Sequence, residues 1–81
     1  MRYSQFLATL RAIDGMNEQR PGVFYRKSRA FLHFHEDPTG LHADLRTADH
    51  GDFVRTRVET KAEQSKLIET ITSALATPVR K

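Results

Sequence analysis

The stretch Arg29-Ala-Phe-Leu-His-Phe-His-Glu-Asp-Pro-Thr-Gly-Leu-His-Ala-Asp-Leu-Arg46 decides the fold, because it reads as two strands folded about a Pro-Gly turn. Side chains in a strand alternate between faces, so Ala30, Leu32 and Phe34 share one face and Phe31, His33 and His35 the other. Asp37-Pro38-Thr39-Gly40 has the chemistry of a reversal. Asp bonds the backbone ahead, Pro presets φ, and Gly tolerates positive φ. Two registers compete. If Glu36 faces Leu41, then His35 faces His42, Phe34 faces Ala43, His33 faces Asp44 and Leu32 faces Leu45, and the apolar residues fall together. A bulge at Gly40 would instead set Phe34 opposite Asp44 and mix core with solvent on both faces. The first register is the expected one.

Working outward, Gly22-Val-Phe-Tyr-Arg26 is rich in β-formers, and only Lys27-Ser28 separates it from Arg29. A tight hairpin follows, with Arg26 opposite Arg29, Phe24 opposite Phe31 and Val23 opposite Leu32. Phe53 to Glu59 alternates again as a further strand, after the loop chemistry of 47–52. The polar run from Met16 to Pro21 reads as a loop. Strands are therefore expected at 22–26, 29–36, 41–46 and 53–59.

Helices close both ends. Phe6, Leu7, Leu10 and Ile13 recur at helical spacing over 4–14, with Ser4 as N-cap and Gly15 at the stop. Over 61–76, Thr60 and Glu63 form a capping box, and Leu67, Ile68, Ile71 and Leu75 make one stripe. The expectation is a single α+β domain over 1–81: a four-stranded antiparallel meander with its N- and C-terminal helices on one face. That covered face would hold Val23, Tyr25, Ala30, Leu32, Phe34, Ala43, Leu45, Val54 and Val58.

Eighty-one residues suffice for one modest core. The absence of cysteine excludes disulfides and thiolate metal sites, and fits a reducing compartment. No signal-peptide pattern and no membrane-length apolar run is visible, so a soluble cytoplasmic protein is expected. Thirteen Lys and Arg against ten Asp and Glu give a net charge of +3, a modest excess whose simplest use is solubility. No glycine-rich phosphate loop, cysteine nucleophile or paired carboxylates in a cleft is present, and no catalytic residue is assigned.

The open sheet face carries the functional expectation. It would present Phe24, Arg26, Arg29, Phe31, Arg46, Phe53, Arg55 and Arg57 together with His33, His35, His42 and Asp44. Arginines fork onto phosphate and exposed rings stack bases, so the first eight suit single-stranded nucleic acid or another anionic ligand. The same rings would equally bury themselves in a homodimer. A non-enzymatic binding or interaction module is the leading expectation, with no cofactor. The alternative is a metal site, possible hydrolysis included: His33, His35, His42 and Asp44 stand in two cross-strand rows, and three of them would reach one Zn²⁺. His50 falls in a loop.

From Phe31 through His33, His35, the turn and on to Asp44 and Arg46, the hairpin resembles a segment of small bacterial proteins, including those grouped as luciferase-like domains. The resemblance implies a shared hairpin, and singles out His33, His35, Asp44 and Arg46. It implies no reaction.

Overall fold

A computed structural model of the chain describes residues 3–47 and 51–76. The elements are α1 (Ser4–Arg11), β1 (Asn17–Arg20), β2 (Val23–Arg26), β3 (Arg29–Asp37), β4 (Gly40–Leu45), β5 (Val54–Arg57) and α2 (Lys61–Ala76). The strands form one antiparallel sheet in the order β1-β2-β3-β4-β5, so the class is α+β. His50 lies outside the described residues.

The β3–β4 hairpin has the expected register throughout, from Leu32 opposite Leu45 to Asp37 opposite Gly40. Its turn explains why. The Asp37 carboxylate accepts from the backbone N–H of Thr39 at 2.8 Å, and Gly40 takes φ +122°. A side chain on Gly40 would also meet the Glu59 side chain at 2.9 to 3.1 Å.

The β2–β3 hairpin departs from expectation. Arg26 faces Arg29 and Tyr25 faces Ala30, but Phe24 faces Leu32 and Val23 faces His33. Phe31 is the extra residue of a bulge, and its carbonyl accepts the N–H of Arg46 at 2.9 Å on the other side. A one-residue slip exchanges faces beyond the bulge. Phe24 therefore joins Leu32 in the core, and Val23 moves to the histidine side.

A fifth strand replaces the expected loop at 16–21. β1 is polar and mostly exposed, so no alternating apolar signal announced it. Backbone pairing with β2 makes it a strand, and Glu18 ties it down, receiving Arg11 Nη2 at 3.0 Å and the Gly22 N–H at 2.9 Å.

α1 ends at Arg11, short of the expected residue 14. Its N-cap position is Tyr3, with no side-chain cap bond, so Ser4 lies inside the helix. α2 spans the expected 61–76, and the capping box forms. Glu63 Oε1 accepts the Thr60 N–H at 3.0 Å while Thr60 Oγ1 accepts the Glu63 N–H at 3.2 Å. Phe6, Leu7 and Leu10 of α1 and Leu67 and Ile71 of α2 share one core with Phe24, Leu32, Leu41, Ala43, Leu45 and Val58. Tyr3 joins that core, its hydroxyl 2.7 Å from Glu59 Oε1 and 3.1 Å from Glu36 Oε2. Among the described residues no helix is long and apolar enough to cross a membrane.

Candidate metal centre

Continuous pairing of β3, β4 and β5 aligns His33, Asp44 and Arg55 in one row and His35, His42 and Arg57 in the next. Directly opposed residues share a face. The rows therefore bring three imidazoles and a carboxylate onto one sheet surface, held by strand backbone rather than by a loop.

Asp44 is the hub. His35 Nε2 lies 3.0 Å and His33 Nδ1 3.6 Å from Asp44 Oδ2. The ligand atoms of these three residues all fall within 4.8 Å of one another. Arg55 grips the same carboxylate from the edge strand, Nε to Oδ1 at 2.8 Å and Nη2 to Oδ2 at 3.0 Å. That hydrogen bond holds the Asp44 carboxyl below its ordinary pKa. Burial opposes the shift, and the charges of Arg55, His33 and His35 add to it. Asp44 is thus an ionised, buried acceptor at neutral pH.

The histidines are braced differently. The His33 ring meets His35 edge-on at 5.1 Å between centroids and packs on Phe53 at 4.7 Å. His35 is the more exposed of the two. His42 stands opposite His35 in register but serves the turn. Its Nδ1 is buried without a hydrogen bond among the described residues, 3.8 Å from Asp37 Oδ2, and its Nε2 lies 3.5 Å from Thr39 Oγ1. Three of the four expected ligands converge, and His42 stands apart.

The eight residues expected to bind an anion are dispersed. Phe24 is 1% exposed and Phe31 3%, so neither ring offers a stacking surface. The bulge is the cause for Phe24, and the Phe31 ring has the Arg26 guanidinium 5.9 Å from its centroid. Phe53 is half-buried between His33 and the Arg46 guanidinium, the latter 4.7 Å from its centroid. Arg46 also donates through Nη2 to the Ala30 carbonyl. Arg57 donates through Nε to the Thr39 carbonyl and through Nη1 to Glu63 at 3.1 Å. Arg29 is exposed at the Lys27-Ser28 turn. These arginines mostly brace the protein's own backbone and acids, and of the three rings that suggested face-to-face dimerisation Phe24 and Phe31 lie inside while Phe53 is half-buried.

Sequence reasoning missed Arg55 as the partner of Asp44. The signal was the alternation of Phe53-Val-Arg-Thr-Arg57, but pairing it with β4 required knowing where the last strand sits. Comparison with protein-family models, with curated proteins and with solved structures gives no match to this chain.

Proposed function

We propose that the protein is a small metal-binding module that holds a divalent first-row ion of the zinc type through His33, His35 and Asp44. The convergence of two imidazole nitrogens and one carboxylate oxygen on a rigid sheet carries the reading. Ligand atoms at about 2.0 to 2.2 Å from one ion stand about 3.0 to 3.6 Å apart. The two histidine-to-Asp44 distances, 3.0 and 3.6 Å, already match that spacing. The two imidazole nitrogens lie within 4.8 Å of each other, so a small adjustment of the rings would complete the set.

Arg55 acts on this site in two opposing ways. It orients the carboxylate, as outer partners of metal ligands commonly do. Its charge also repels a cation, which sets the affinity below that of a site with an uncommitted carboxylate. Three protein donors leave a tetrahedral ion one position for water or another ligand. The reading assigns binding and no reaction.

Calorimetric titration with Zn²⁺ of the parent and of His33→Ala, His35→Ala, Asp44→Asn and His42→Ala tests it. Each of the first three should weaken binding at least about tenfold, and His42→Ala should leave it nearly unchanged. Binding should also weaken on acidification, since protons compete for imidazole. A parent that takes up no Zn²⁺, or a loss confined to His42→Ala, would remove the proposal.

A further inference from the structure

The edge formed by β5 and α2 has a geometry that the metal site does not use. β5 closes the sheet on one side, and Val54 on it is 65% exposed, the one large apolar side chain so exposed among the described residues. Beside it runs a groove of about 460 Å³ between the sheet and α2, lined by Leu45, Val54 and Leu67, with Lys66 and the Arg57–Glu63 pair on its polar side.

The backbone of this edge is set for a further strand. The Val58 N–H bonds the Leu41 carbonyl at 2.8 Å, and antiparallel bonding alternates, so Thr56 and Val54 also turn their polar groups toward β4. The N–H and C=O of Arg55 and Arg57 point outward. The Arg55 side chain lies on the metal-site face, whereas that of Arg57, which starts on the same face in register, bends to Glu63 of α2 and forms part of the groove wall.

A second copy of the chain fits this edge poorly. An antiparallel pairing of β5 with itself that keeps both cores on the same face sets Arg55 against either Arg55 or Arg57 of the other copy. Like charges directly opposite one another destabilise a pair. The same arithmetic defines what does fit. Arg55 and Arg57 are bonded to Asp44 and Glu63, yet their side chains remain 56% and 44% exposed. Arg55 Nη1 and Arg57 Nη2 make no hydrogen bond among the described residues.

We propose that β5 is the docking edge for an extended acidic segment of a partner protein, added antiparallel as a sixth strand. Its carboxylates lie opposite Arg55 and Arg57, and the apolar residue between them enters the β5–α2 groove. Main-chain bonds supply affinity in this mode and the alternating side chains supply selectivity.

The test uses the ¹⁵N-labelled full chain in metal-free buffer with two synthetic peptides, alike except that Glu-Leu-Glu in one is Lys-Leu-Lys in the other. The acidic peptide should shift the amides of Arg55, Thr56, Arg57 and Leu67, bind at least about fivefold more tightly than the basic one, and weaken with salt. Arg57→Glu should reverse the preference between the two peptides, a result that loss of folding cannot mimic. Equal binding of both peptides, binding of neither at millimolar concentration, or concentration-dependent shifts at Arg55–Arg57 without peptide would each overturn the proposal. The last outcome would make the occupant a second copy.

Discussion

The two hairpins that share β3 differ in how much their turns dictate. At β3–β4, the turn residues are chemically suited to reversal, and six successive pairs run without interruption. At β2–β3, the two turn residues are Lys27 at φ +50° and Ser28 at φ +70°, neither of them glycine, and a bulge follows within three residues. A two-residue turn with positive φ at both centres matches the twist of a hairpin but favours Asn and Gly. A turn built from the right residues fixes register on its own. Where they are absent, burial decides, and here burial takes Phe24 into the core and displaces Phe31.

The largest effect that would break this contrast is at Phe24. Phe24→Ala removes a buried ring and should cost about 3 to 5 kcal/mol in urea unfolding. A loss under about 0.5 kcal/mol would return Phe24 to the surface and restore the unbulged register. Next comes Gly40→Ala at the well-specified turn. Positive φ and the crowding of Glu59 act together there, for a loss of about 2 to 3 kcal/mol on the same measurement. Glu59 would have to release the Leu41 N–H, which it holds at 2.9 Å.

Asp44 sharpens the comparison through pH. Its folded pKa is depressed, so its contribution is fully present above the unfolded carboxyl value, near about 3.9, and disappears as pH falls through the lower folded value. Asp44→Asn should cost about 1 to 2 kcal/mol at neutral pH, with most of the Arg55 side exposed to solvent, and the gap from the parent should close in acid. A gap independent of pH would show that the carboxylate charge is not what binds the row together. The smallest effect should be a gain. Ser28→Gly relieves one left-handed residue and should stabilise by about 1 kcal/mol, while the same change at Thr39 in the other turn should not.

Legibility in the sequence followed the same division. The capping box at Thr60 and Glu63, the α2 stripe and the β3–β4 register could be read because each rests on local chemistry. β1 could not, since Asn17-Glu-Gln-Arg20 buries almost nothing and owes its strand to the neighbouring backbone. Val54 was expected on the covered face; it lines the groove against α2 there and is nonetheless 65% exposed. For the site, His33, His35 and Asp44 followed from one hairpin register. The departure of His42 did not, because it depends on a turn carboxylate, and Arg55 depended on placing the last strand.

Sheet order equal to chain order also has a kinetic consequence. Every strand finds its partner in the next segment, so the loops closed during sheet assembly are short and folding should be fast. A long closure is also needed, one that brings the start of α1 to the end of the last strand, where the Tyr3 hydroxyl meets Glu59 across 56 positions. We expect that contact to form after the rate-limiting barrier. Tyr3→Phe should then speed unfolding and leave the refolding rate unchanged in stopped-flow measurements, whereas slowed refolding would place the clasp in the folding nucleus.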